Sequence, residues 1–217
     1  MNPQRPTVAY SICMQNACDG PSYCAYYDAY SLEMSMDDEW PINIMVAVPP
    51  HLTPCITQQA EITSMGASAA ASYPPTNGDF TQLREAGASW VFAHPFDRID
   101  AILDNGLNVL VCVEDSDQLN DVLACDRISE NNAIIAFQIT SATSIDDAAT
   151  LAAKISTKLT GRGLSKTQLL VSGSYAHKNI LDYTQIPHVN GLLMLDSDFA
   201  HIIELLNEYV AFLAKAG

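Results

Sequence analysis

The sequence predicts a (β/α)8 barrel, in which a cylinder of eight parallel strands is surrounded by helices. Two patterns predict it. Short apolar runs recur along the chain, and each is followed by a polar break and then by a segment with helical spacing. Most of these runs lack polar alternation, which is typical of parallel strands buried on both faces. A doubly wound open sheet is the alternative arrangement of the same elements.

The length of the chain fits one such domain. It has 217 residues, of which 48% are hydrophobic, and a single barrel needs roughly 200 residues or more. No linker or shift in composition divides the chain. We therefore expect a single barrel domain over residues 1–217.

The predicted strands are runs of β-branched or apolar residues that end at polar or turn residues. In chain order they are Thr7–Cys13, Asn43–Val48, Met65–Ala70, Ser89–His94, Asn108–Val113, Ala133–Gln138, Gln168–Gly173 and Gly191–Leu195.

The predicted helices lie between and after the strands, and several carry start or stop signals. Ser144 precedes two aspartates and Ser197 precedes a long apolar-periodic stretch, as expected of helix starts. Gly87 and Gly106 each precede a strand, where they are expected to end a helix. The predicted helices are Pro21–Asp37, Thr53–Ile62, Phe80–Ala86, Asp97–Asn105, Asp117–Arg127, Ser144–Leu159, Ala176–Tyr183 and Ser197–Ala216.

The charge of the chain limits its partners. Ten Lys and Arg against 25 Asp and Glu give a formal net charge of −15. Such a field repels nucleic acids and anionic membrane surfaces, so we expect neither as a partner. No apolar run reaches the roughly 18 residues of a transmembrane helix, and the N-terminus lacks the pattern of a signal peptide. We therefore expect a cytoplasmic protein without a cofactor.

The cysteines indicate reduced thiols. They are scattered without a CxxC pair, and a reducing compartment favours buried or half-buried thiols over disulfides. The spacing of Cys13, Cys18 and Cys24 matches no zinc or iron–sulfur pattern, so no metal site is expected. The six are Cys13, Cys18, Cys24, Cys55, Cys112 and Cys125.

Five segments, in chain order, resemble motifs of the triosephosphate isomerase family. This resemblance implies a TIM barrel with shortened loops, with His94 at the position of the catalytic histidine. It also implies a phosphate cradle of which Gly173 and Ser174 keep their identities, and a homodimer formed through the loop Ser68–Phe80. The segments are Val46–Pro50 (VAVPP), Asn77–Thr81 (NGDFT), Gly87–Arg98 (GASWVFAHPFDR), Leu169–Tyr175 (LLVSGSY) and Gly191–Phe199 (GLLMLDSDF).

The departures from the family pattern concern the catalytic residues. The family motif N-W-K-M-N is present as SICMQ, so that Cys13 replaces the lysine that holds the substrate anion. Gln138 stands at the position of the glutamate base, and a neutral amide cannot remove a carbon-bound proton. Only Ile139–Thr143 remains of the phosphate-closing lid, and the paired glycines after the eighth strand are Leu195 and Asp196.

Three hypotheses follow from these departures. The first is a non-catalytic or ligand-binding relative that does not interconvert triose phosphates. The second is an enzyme acting on a different, non-phosphorylated small molecule, with His94 acting together with Cys13, Glu114 or Asp196. The third is a stable barrel with no ligand.

Each candidate residue also has a plain structural interpretation. His94 can serve packing, Cys13 can be an inert thiol, and acidic residues at the rim can be merely solvated. The candidate catalytic residues are His94, Gln138 and Cys13, and the candidate ligand-binding residues are Ser11, Glu114, Gly173, Ser174 and Asp196.

Overall fold

The computed structural model describes residues 5–11, 42–54, 68–75, 78–173, 180–194 and 199–216. These residues form a closed barrel of parallel strands in which each strand pairs with its neighbours in chain order, and the last pairs with the first. The predicted (β/α)8 barrel is therefore confirmed. Its strands are β1 Thr7–Ser11, β2 Asn43–Val48, β3 Ser68–Ala71, β4 Trp90–Ala93, β5 Asn108–Val113, β6 Ala133–Gln138, β7 Gln168–Gly173 and β8 Gly191–Met194.

Helices alternate with the strands along the described chain. A short 3-10 helix, Pro50–Leu52, follows β2. The α-helices are α1 Phe80–Glu85, α2 Ile99–Asp104, α3 Gln118–Leu123, α4 Ile145–Gly161, α5 Ile180–Tyr183 and α6 Phe199–Ala216. The predicted helix Pro21–Asp37 and most of Thr53–Ile62 lie outside the described residues.

The observed bounds of β2, β5, β6 and β7 are those predicted. The predicted strand Ser89–His94 is shorter, because the chain turns directly after Ala93. The predicted helix Asp117–Arg127 is wrong at its end, since α3 stops at Leu123. There the Leu123 carbonyl accepts a hydrogen bond from the Arg162 guanidinium and so does not continue the helix.

Side chains of the strands alternate between two cores. The residues on the outer face of the sheet pack with helix residues such as Leu83, Ile102 and Ile155 in one cluster. The inner residues form a separate cluster, which shows that the barrel is filled by side chains and is not a pore. The buried inner residues are Ala9, Met45, Ala47, Ala70, Trp90, Phe92, Leu110, Ile134, Ala136, Leu170 and Leu193.

Polar side chains close the barrel at the amino ends of its strands. The Thr7 hydroxyl donates to Gln168 Oε1 (2.5 Å) and accepts from Asn43 Nδ2 (3.3 Å). Both amide side chains also donate to the Arg5 carbonyl at 3.0 Å. This network closes the amino end of the barrel; in (β/α)8 barrels ligands bind at the opposite end, where the carboxyl ends of the strands meet.

Within the described residues, no helix combines the length and hydropathy needed to cross a membrane.

Candidate functional site at the carboxyl ends of the strands

The strand register places the inner residues in layers of four, contributed by alternate strands. Cys112 pairs with Ala136, and Gln138 pairs with Ser172. The strands tilt relative to the barrel axis, so a residue and its registered partner on the next strand lie at different heights along that axis. The residue at the same height is the one that follows the partner in sequence. Cys112 and Ser172 are therefore level with each other. We call their layer the hydroxyl–thiol layer; it consists of Ser72, Cys112 and Ser172, and the backbone of Ser11 occupies the fourth register position.

The layers on either side differ in character. Directly below the hydroxyl–thiol layer lie Ala47, Phe92, Ala136 and Leu193, all buried. Directly above it, Gln138 ends β6 and His94 follows β4. Both of these residues are exposed. The mouth of the barrel thus has a polar rim, a layer of hydroxyl and thiol groups, and an apolar floor.

The Ser172 hydroxyl is buried. Ser172 has no exposed surface. It lies beside the Cys112 thiol. Burial raises the pKa of Cys112, the Ser172 hydroxyl acts to lower it, and the Glu114 carboxylate raises it further. The thiol is therefore protonated and uncharged at neutral pH.

A tight turn fixes the backbone of His94 at the rim. Its backbone N–H donates to Asp97 Oδ2 (2.6 Å), and its carbonyl accepts from the Asp97 N–H (3.0 Å). This turn ends β4 and delays the next helix, so that α2 begins at Ile99 and not at the predicted Asp97. The imidazole is thereby presented to solvent from a fixed position.

Gln138 has the same exposed setting on β6. The residue after it, Ile139, donates its backbone N–H to the Ser172 carbonyl (2.8 Å), which holds the end of β6 against β7. No hydrogen bond joins the Gln138 carboxamide to another described residue. A carboxamide offers one acceptor and two donor hydrogens to a ligand, but no base.

The loop between β6 and α4 is short and bonded to itself. It covers residues 139–144, six residues between the two elements. The Thr140 N–H donates to the Thr143 hydroxyl (2.9 Å), and the Thr143 carbonyl accepts from the Tyr183 hydroxyl (2.6 Å). Ser144 then caps α4 by accepting from the Asp147 N–H (3.1 Å). The loop is therefore short and held by hydrogen bonds at both of its ends.

Glu114 follows β5 and is exposed. Its backbone N–H donates to Gln118 Oε1 (2.9 Å). The next residue, Asp115, accepts from the N–H groups of Gln118 (2.9 Å) and Asp117 (2.8 Å). These backbone hydrogen bonds lower the pKa of Asp115. Asp115 therefore organises the turn, and Glu114 is the carboxylate that remains for the rim.

The structure describes the other predicted site residues to different extents. Cys13, Ser174 and Asp196 lie outside the described residues, and of Ser11 the backbone alone is described. Gly173 has no side chain to present, and its position belongs to the outer face. A Cβ there would lie 3.0 Å from Ile139 Cγ1, so packing accounts for this glycine. Any contact between Gly173 and a ligand must come from its backbone.

Sequence reasoning named Ser11 but missed Cys112 and Ser172, although a signal for both was present. In β5 and β7 every second residue faces inward, and the inward residues that follow Leu110 and Leu170 are Cys112 and Ser172. Counting the inward positions two by two from Leu110 and Leu170 finds both residues.

Comparison with known proteins shows the fold. No protein-family model and no curated protein matches the chain. Among solved structures, the chain resembles the triosephosphate isomerase of Bartonella henselae with a TM-score of 0.69 and 23% sequence identity. The match covers 94% of this chain and 99% of that one. It confirms the barrel that the five sequence motifs imply.

Proposed function

We propose that this protein is a divergent triosephosphate-isomerase-like barrel that binds a small molecule at the carboxyl ends of its strands and does not interconvert triose phosphates. The observation that carries the proposal is Gln138, exposed at the end of β6 beside Ser172. Interconversion of triose phosphates requires a base that removes a proton from carbon. Since a carboxamide has no accessible pKa near neutrality, Gln138 cannot be that base.

Two further features support the loss of phosphate chemistry. The loop after Gln138 is held by its own hydrogen bonds and by Tyr183, so it does not close over a phosphate. No Lys or Arg occupies a described inner position at the carboxyl ends of the strands. The Glu114 carboxylate acts on the Cys112 thiol, and a carboxylate in this position opposes an anion.

A steady-state assay tests this proposal. Purified protein is supplied with glyceraldehyde 3-phosphate, and formation of dihydroxyacetone phosphate is followed with a coupled enzyme. We expect no rate above the uncatalysed reaction. Turnover at the rate of an ordinary isomerase would refute the proposal.

A second candidate function is acid–base catalysis on an uncharged substrate. The fixed and exposed position of His94 favours it, since barrel enzymes carry their catalytic groups on this face. His94 lacks a described partner, however, because no hydrogen bond joins its imidazole to Glu114 or Gln138 in the described part of the chain. Cys13 and Asp196, its other proposed partners, lie outside the described residues.

We also propose that the protein is a homodimer. Two large apolar side chains are exposed on neighbouring loops of the same barrel end, Tyr73 (44%) after β3 and Phe96 (77%) after β4. Contiguous exposed apolar surface marks interaction sites, and both side chains lie at the same end of the barrel. Tyr73 belongs to the loop through which the family resemblance implies dimer contacts.

A further inference from the structure

We draw no further inference here: the strongest candidate, the surface groove between α2 and α3 that is lined by Asp100, Asp121 and Cys125, is a cluster of carboxylates beside a lone thiol, and nothing in the described part of the chain shows which ligand or partner it would hold.

Discussion

The Ser172 hydroxyl and the Cys112 thiol lie side by side within the barrel, brought level across β6 by the strand register. Between them β6 contributes only the methyl group of Ala136. This contact joins β5 to β7 directly beneath Gln138. The inner residues directly below it, Ala47, Phe92, Ala136 and Leu193, are apolar.

The raised pKa of Cys112 predicts the pH dependence of its reactivity. Since the thiolate is the reacting species, alkylation of Cys112 in the folded protein should rise at higher pH than in the urea-unfolded chain. The same shift acts on stability. The unfolded chain loses this thiol proton first, so the contribution is complete below the unfolded pKa and is lost as pH rises through the folded pKa. If alkylation of Cys112 depended on pH in the same way in the folded protein and in the unfolded chain, the raised pKa would be contradicted.

Gly191 should not tolerate a side chain. Its φ is 150°, and a Cβ would lie 1.9 Å from the Thr7 carbonyl oxygen, which belongs to the paired strand β1. We expect Gly191→Ala to lower the free energy of unfolding in urea by about 3 kcal/mol or to prevent folding.

Gly161→Ala is the control for this prediction. Gly161 is the last residue of α4, has nothing within 4 Å of its missing Cβ, and has no positive φ. Alanine in a helix is more favourable than glycine by roughly 0.5–1 kcal/mol. The control should therefore be neutral or slightly stabilising. Equal stabilities of the two variants would be inconsistent with the described β1–β8 contact.

Ser144 should stabilise both α4 and the short loop before it. Its hydroxyl accepts from the Asp147 N–H and donates to Asp147 Oδ2 (2.6 Å), which is a reciprocal cap. Ser144→Ala should cost about 1 kcal/mol in urea unfolding. Ser141→Ala, in the same loop and without a described side-chain hydrogen bond, should change stability by less than about 0.5 kcal/mol. A Ser144→Ala variant with the same free energy of unfolding as the unmodified protein would contradict this capping role.

Phe96 should contribute to the proposed dimer. Phe96→Glu places a charge on the exposed loop after β4, and light scattering after gel filtration should then show a monomer. Ile145→Glu is the control, since Ile145 is also apolar and 45% exposed but begins α4. Dimer formation by both variants, or a monomeric unmodified protein, would refute the proposal that the surface around Phe96 forms the dimer interface.

The sequence predicts the barrel well where local pattern decides the structure. The bounds of β2, β5, β6 and β7 follow from mainly apolar runs, because parallel strands are buried on both faces. Helix ends were less predictable. The end of α3 depends on Arg162, and the start of α2 on the turn between His94 and Asp97, and neither contact can be read from helical spacing.

The candidate site was likewise predictable from the sequence only in part. Gln138 and His94 could be identified from the sequence because each lies at the end of its strand. Ser172 and Cys112 are 60 residues apart and become neighbours only through the register of three strands. Their contact therefore depends on tertiary structure, and motif comparison at strand ends does not reveal it.

The most direct test of the central claim is proton exchange at the substrate carbon. Dihydroxyacetone phosphate is incubated in deuterium oxide with the protein, and loss of the exchangeable carbon-bound proton is followed by NMR. The unmodified protein and Gln138→Glu should both leave exchange at the uncatalysed rate, because the glutamate alone restores neither a cation nor a closing loop. Exchange by either protein above that rate, and abolished by His94→Ala, would contradict the account and show that the mouth still moves a proton.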